Sequence, residues 1–466
     1  MTHWLELAVT ALCVLGLAAL FAWAAHASWR RRKSSPLPVG EGSGVRALPR
    51  LELWLTLLAL PFLLLDRAAP LGLAIIAALW LARLVATGRL TVRTPIDWPL
   101  WALLLWLPVP ILASGDASLT RPAVYRLLAG IALYYALANW ASTRRRLAAG
   151  AAALLLSGAG LAAAAPLVAT GWQGAKLLGL AATLVDWLTP GKPLFSEYLN
   201  ANVLAGALVI IWPITAALAL APLGLPRRPE AATRAALGLL LALITVILGL
   251  TQSRAMLAAL AVTVGVLVAL WRPRLAAAGC LLLALGAGLV AANRPRPLLR
   301  WLRRSGTTFS LSRRGDIWSR SLAMLHDHPW TGIGLGNFPR VQPLHYPFAI
   351  AIQESVTHAH NLYLQVGLDL GLPGLVAYLA VLLSGLALAW QAWRRLRRPD
   401  MGWLGALATG LLGSQIALLS FGLLDLGGWA NKLAFLPWWT LGLTVALHAQ
   451  SEAMAQGARA RGGLTT

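Results

Sequence analysis

The sequence predicts an all-α, polytopic integral membrane protein, and three observations carry that prediction. Hydrophobic residues make up 58% of the 466 and charged residues only 12%, about half the charged share of a soluble domain. Apolar runs recur along the whole chain, each near the roughly 20 residues that cross a bilayer as a helix. The short alternating segments of a membrane barrel are missing, and backbone in lipid must bond within its own segment, so the runs are helices.

Hydropathy places about 12–14 transmembrane helices. About thirteen can be threaded in order, beginning near Trp4, Leu51, Ala68, Trp98, Val124, Leu147, Asn202, Ala235, Ala255, Leu275, Asn361, Met401 and Leu433. Leu51–Leu65 is the shortest and, with the run from Ala68, also fits a re-entrant hairpin. The first run is read as a span and not a cleaved leader, because its basic cluster follows the apolar stretch and no small-residue cleavage site precedes that cluster.

Orientation follows from where Lys and Arg fall. Clusters at Arg30–Lys33, Arg89 and Arg93, Arg144–Arg146, Arg227 and Arg228, Arg272 and Arg274, and Arg394–Arg398 all lie on one side of this threading. That side is the cytoplasmic one by the positive-inside rule, with the N-terminus outside and Arg459 and Arg461 inside. The expected organisation is residues 1–292 as helices 1–10, residues 293–360 as one long periplasmic catalytic loop, and residues 361–466 as helices 11–13 with a cytoplasmic tail.

The net charge of +23 is mostly this topology signal. No stacking aromatics interleave with the basic residues, so no nucleic-acid partner is expected. The 22 Trp residues sit largely near span ends, as an interfacial belt does in contact with membrane lipids. Cys13 and Cys280 fall inside spans, which argues against a disulfide framework or a thiolate metal site.

The long outer segment breaks the charge trend. It carries nine arginines (Arg294, Arg296, Arg300, Arg303, Arg304, Arg313, Arg314, Arg320, Arg340) against three acids. An amphipathic helix lying on headgroups accounts for Arg294–Arg304 beside Leu298, Leu299 and Leu302. It does not account for Arg314 and Arg320, which suit an anionic ligand.

Three polar features mark the outer face. His358 and His360 precede Asn361 where the loop enters a span, and a helix from there carries Asn361, Gln365 and Asp369 in one stripe. Imidazole titrates near neutrality and is the usual base for a hydroxyl proton; the bland alternative is a histidine that merely caps the helix. Arg254, in Thr251-Gln252-Ser253-Arg254, occupies a short outer turn, with snorkelling as its alternative. Arg314, with Asp316, Trp318 and Arg320, is the third. Arginine forks match phosphate oxygens and stay charged at any working pH. Two arginines and a histidine form a site for a substrate that loses a phosphate-bearing leaving group. Asp425 and Lys432, at the last outer turn, are further candidates.

Other signals are discounted. Gly332, Gly334 and Gly336 imitate a phosphate-binding motif, but no strand precedes them and the spacing is wrong, so a tight packing turn is expected. His326-Asp327-His328 and His358-Ala359-His360 lack the thiolates and nearby carboxylates of a metal site, and no metal or other cofactor is expected. Ser253 and Ser321 lack a nucleophile-elbow context.

The chain resembles the O-antigen ligase and O-antigen polymerase superfamily of membrane glycan transferases, over roughly residues 195–378. Asn200-Ala201-Asn202 leading an apolar run to Trp212-Pro213 is similar to that family's asparagine-led span, and Ser253-Arg254 to its outer Ser-Arg. Arg314, Trp318, Met324, His328-Pro329 and the three glycines resemble its loop signature. His360-Asn361, nine residues and then Gly371-Leu372-Pro373-Gly374 resemble the ligase pattern. Ala258 departs from it, where ligases tend to carry Leu.

The resemblance implies a GT-C-like, inverting, metal-independent transferase located in a bacterial inner membrane. It implies an undecaprenyl-pyrophosphate-linked glycan donor and, as acceptor, lipid A–core or another lipid-linked glycan. His360 would be the base, with Arg254 and Arg314 holding the pyrophosphate. Asn361, Gln365, His358, Arg320 and Asn202 would orient His360 or bind sugar. The residues from Asn293 to Val356 are expected to cover the site. Polymerisation and protein O-glycosylation share this donor. A lipid or ion transporter is the reading from another class, with Arg126 and Asp369 as its only polar path residues; the gathering of polar groups at one face argues against it.

Overall fold

The computed structural model describes residues 52–59, 62, 68–88, 90–170, 199–275, 277–279, 281, 282, 284, 285, 307–349 and 356–462. These form a helical bundle: α1 (Ala69–Thr87), α2 (Asp97–Trp106), α3 (Pro108–Leu112), α4 (Ala117–Trp140), α5 (Arg144–Val168), α6 (Ala201–Leu220), α7 (Arg227–Thr251), α8 (Arg254–Trp271), α9 (Thr307–Asp327), α10 (Phe338–His345), α11 (Leu362–Leu396), α12 (Trp403–Gly422) and α13 (Phe435–Gly462). A two-residue parallel bridge pairs Ala169 with Leu199 and Thr170 with Asn200. The chain is thus all-α in architecture, as the composition requires.

Six described helices are long and apolar enough to cross a membrane: Arg144–Leu167, Ala201–Leu220, Arg227–Thr251, Arg254–Trp271, Leu362–Leu396 and Trp403–Gly422. They answer to the spans expected near Leu147, Asn202, Ala235, Ala255, Asn361 and Met401. Shorter apolar helices at Pro70–Val85 and Asp97–Leu112 stand where spans were expected near Ala68 and Trp98. The runs expected near Val124 and Leu433 are helices α4 and α13, packed against each other in the core. Of the run Leu51–Leu65, residues 52–59 and 62 are described and helical; the span from Trp4, most of the run from Leu275, the arginines of 294–304, and both cysteines lie outside the described residues.

Helix ends are set by capping groups. Asp116, Asn200, Ser253 and Asn361 accept backbone N–H bonds from the first turns of α4, α6, α8 and α11, the usual chemistry for otherwise orphaned donors. All four of these starts lie at one end of the bundle. The alternation of helices puts Arg144–Arg146, Arg227, Arg272 and Arg394–Arg398 at the opposite end.

The longest helix is broken at Gly371, with φ 71° and ψ 177°, a region open essentially to glycine alone. The break frees backbone groups that a spanning helix cannot leave unpaired. A turn of the preceding segment takes them up. Ile333 N donates to Leu368 O (2.7 Å) and Leu372 N to Pro329 O (2.7 Å), while Trp106 Nε1 of α2 donates to Leu370 O (2.8 Å). The approach is so close that a Cβ on Gly371 would sit 1.8 Å from Trp330 O, and one on Gly332 would sit 2.3 Å from Leu368 O. Gly332, Gly334 and Gly336 all have positive φ. The packing-turn reading of these glycines therefore holds.

The same segment is pinned to α4. Asn337 Nδ2 donates to Ser114 Oγ (2.6 Å) and Thr120 Oγ1 (3.0 Å), and Arg340 pairs with Asp116 at 2.5 Å. Ile317, Met324, Ile333, Phe338, Val356, Ala359 and Leu368 form a small core of their own, separate from that of the bundle. Gly371→Ala is expected to lower the thermal midpoint of the detergent-solubilised protein, with backbone strain alone costing about 1–3 kcal/mol. Gly160→Ala, where nothing lies within 4 Å, should leave it unchanged. Equal midpoints for the two variants would refute the docking of this turn.

Candidate active site

His358 and His360 lie on the irregular stretch before α11, and the local chain is arranged to hold them. Trp318 Nε1 of α9 donates to Ala359 O (3.1 Å). From the other side Gln365 Oε1 accepts from Ala359 N (2.9 Å). Gln365 Nε2 in turn donates to Asp369 Oδ1 (2.9 Å), so these two members of the expected stripe share a face, while Asn361 is the extended N-cap before the helix. Asp369 is fully buried and also accepts from Gly336 N (3.2 Å) and Trp429 Nε1 (2.7 Å). This network ties the histidine stretch to the glycine turn and to the loop after α12.

His360 has φ 49°, a left-handed conformation uncommon for a residue with a side chain. Among the described residues, the other non-glycine positions with positive φ are Gln252 and Ala430. Gln252 ends α7 two residues before Arg254, and Ala430 lies on the loop after α12. Gln252 is the left-handed C-cap of α7, whereas His360 and Ala430 both line one cavity, a setting where such backbone strain gathers.

The two imidazoles lie 4.2 Å apart by ring centroids and approach one carboxylate oxygen. His358 Nε2 is 3.5 Å and His360 Nδ1 3.8 Å from Asp425 Oδ1. The second distance exceeds hydrogen-bond reach, so that contact is electrostatic. Thr357 Oγ1 is 2.9 Å from the remaining ring nitrogen of His358. Burial pushes the His360 imidazole below its ordinary value, and the neighbouring His358 and Arg314 push the same way against Asp425. Burial would raise the Asp425 carboxyl, but the two imidazoles outweigh it and hold the group below the usual carboxylate range. Burial likewise lowers Arg314, helped by repulsion from Arg254 and opposed by Asp425. An arginine remains charged even so. The site therefore joins a neutral imidazole, a carboxylate and two guanidinium groups.

A cavity of about 540 Å³ adjoins this cluster, within the range of about 300–1,000 Å³ typical of ligand sites. His358, His360, Gln365 and Asp425 line it, and so does Asn202. Arg254 and Arg314 are not among its described lining residues, although both act electrostatically on the cluster. Asn361 serves the backbone instead: its Oδ1 caps α11 and its Nδ2 donates to Leu423 O (2.9 Å). Arg320 faces Asp316 on its own helix at 3.6 Å and lies outside the cavity lining. His326 and Asp327 pair with each other on the exposed end of α9, where Tyr346 OH also donates to Asp327 (2.6 Å).

Sequence reasoning gave Asp425 little weight and set Arg126 aside as a transport residue. The structure puts both on the cavity. Asp425 lies 65 positions beyond His360, and the one available signal was a carboxylate at the turn following an apolar run. His358, His360 and Asp425 also offer ligand atoms within 4.8 Å of one another, a donor set able to hold a divalent cation. The carboxylate that the sequence reading found wanting near these histidines comes from that distant turn.

The assigned imidazole signal of His360, in protein labelled at histidine, is expected to titrate below the roughly 6.5 of free histidine. Removing the carboxylate that favours its charged form, with Asp425→Asn, should shift the titration lower still. A shift upward would contradict the arrangement.

Residues 239–379 match the protein-family model described as O-antigen ligase. That interval runs from α7 to α11 and contains Arg254, Arg314, His358 and His360. A search of curated proteins found no significant match.

Proposed function

With a domain of the O-antigen ligase superfamily as the premise, we propose that this membrane protein transfers a glycan from undecaprenyl pyrophosphate to lipid A–core oligosaccharide, with inversion and without a metal. The observation that carries the reading is the meeting of His360, Asp425, Arg254 and Arg314 beside one cavity. The site end would face the periplasm, since the basic clusters sit at the opposite end of the bundle and basic loops stay cytoplasmic.

In this reading Asp425 favours the tautomer with the proton on Nδ1 of His360, leaving the Nε2 lone pair as the base. An acceptor hydroxyl gives its proton to that nitrogen while its oxygen attacks the anomeric carbon of the donor. The bond from that carbon to the pyrophosphate oxygen breaks, and undecaprenyl pyrophosphate departs with the electron pair. Arg254 and Arg314 meet the charge gathering on the leaving group, where donors fixed in advance are worth most. Pyrophosphate is a good leaving group, so a general acid is not required. The neutral His360 favoured by its surroundings is the state a base needs. Gln365 holds the histidine loop, and Asn361 fixes the first turn of α11 just after it.

The test is transfer in vitro from an undecaprenyl-pyrophosphate oligosaccharide to lipid A–core. His360→Ala, Arg254→Ala and Arg314→Ala are each expected to reduce kcat/KM by about 10²–10⁴-fold, with membrane insertion intact. Donor that grows longer, with lipid A–core untouched, would make the reaction a polymerisation at the same site. Variants as active as wild type would sink the proposal.

Protonation disables the base, so activity should hold above the pKa of His360 and fall as pH drops through it. The acid limb of kcat/KM is thus expected below about pH 6.5, because burial depresses this imidazole. Asp425→Asn should move the limb to lower pH and reduce the rate by up to ~10²-fold. EDTA-treated enzyme is expected to keep its activity; a loss restored by Zn²⁺ would give His358, His360 and Asp425 to a metal instead.

A further inference from the structure

The cavity has a second polar wall that the proposed chemistry leaves unused. Arg126, about two and a half turns into α4, lines it together with Asn200, Asn202 and Asn431. Phe421, with Val203 and Gly206 of α6, contributes an apolar side. Arg126 is held in place, since its Nη1 donates to Ala430 O (2.9 Å), and Ala430 adopts the left-handed backbone with φ 56°. A non-glycine residue kept in that conformation reports a constraint from its surroundings, and here the constrained carbonyl fixes a guanidinium on the cavity wall. Carboxamides supply paired donors and acceptors suited to sugar hydroxyls, and a guanidinium fork suits an oxyanion.

The location of this wall decides which substrate it serves. His360 lines the cavity, whereas Arg314, which acts on His360 and Asp425, and Arg254, which acts on Arg314, are not among the described lining residues. A base must reach the acceptor hydroxyl, and the leaving pyrophosphate belongs with the two arginines. Resting on the reading of His360 as that base, we propose that the cavity seats the acceptor, and that Arg126 binds an anionic substituent of the acceptor saccharide. The substituent is a phosphate or a carboxylate; both present the oxygens a guanidinium pairs with. Arg126 then selects acidic acceptors and sets the register in which a hydroxyl meets His360.

The experiment measures transfer with donor and acceptor varied separately. Arg126→Gln is expected to raise the acceptor KM by about 10- to 100-fold, with kcat and donor KM within about twofold of wild type. Arg126→Lys should recover part of the loss. Phosphatase-treated and carboxyl-reduced lipid A–core are offered to the wild-type enzyme in parallel. The treatment that removes the recognised group raises the KM of wild type and abolishes the difference from Arg126→Gln. A rise in donor KM instead, or an acceptor KM indifferent to the variant and to both treatments, would overturn the proposal. Should Arg126→Gln fail to fold, the two treated acceptors decide with wild type alone. Calorimetric binding of soluble core oligosaccharide to wild type and to Arg126→Lys needs no turnover. Charge-dependent binding without transfer would therefore separate a failed reaction assignment from a failed acceptor site.

Discussion

A carboxyl group buried inside a membrane helix organises this protein. Asp369 is fully buried, and leaving a buried polar group without partners costs about 1–3 kcal/mol, more if the group is charged. Its three donors come from different parts of the chain: Gly336 from the turn after α9, Trp429 from the loop after α12, and Gln365 from one helical turn earlier. Gln365 then holds Ala359 between the two histidines. Satisfying one side chain thus brings the glycine turn, the last loop and the histidine loop to a common point. The proposed reacting groups themselves take no part in that scaffold, which leaves the imidazole of His360 available.

The broken helix α11 shows the same economy in the backbone. A glycine in a conformation closed to other residues opens the helix, and the groups it releases at Leu368, Leu370 and Leu372 bond to the turn of 329–333 and to Trp106. In lipid such a break is tolerable only when covered by protein. The cover is the segment that also brings Arg314. Departure from regular structure and assembly of the site are therefore one event.

Much of this was legible in the chain. Composition and run length gave the helical membrane architecture, and the order of apolar runs located six long helices. The pairing of Gln365 with Asp369 was readable because helical periodicity is local. So was the role of Gly332, Gly334 and Gly336, since no strand preceded them. Partnerships across long separations were not readable. Nothing near His360 announces Asp425, and Arg126 in an apolar run looks the same whether it lines a path or a pocket. Arg320 was grouped with Arg314 by proximity in sequence, yet six positions along a helix turn a side chain through most of two revolutions, and Arg320 faces Asp316 instead. Asn361 was expected to serve chemistry and is spent on capping, a use its position before an apolar run equally allowed.

The three partners of Asp369 leave the ribosome at very different times. Synthesis runs from the N-terminus, so the glycine turn is made first, Asp369 some thirty residues later, and Trp429 sixty residues after that. During that interval the half-built helix α11 enters the bilayer with a carboxyl whose last donor does not yet exist. The histidine loop can settle only when the final loop arrives, and that same loop delivers Asp425. Biogenesis therefore ends where chemistry is proposed to begin. A nascent chain halted before Trp429 holds its histidines and arginines but lacks the last donor of Asp369.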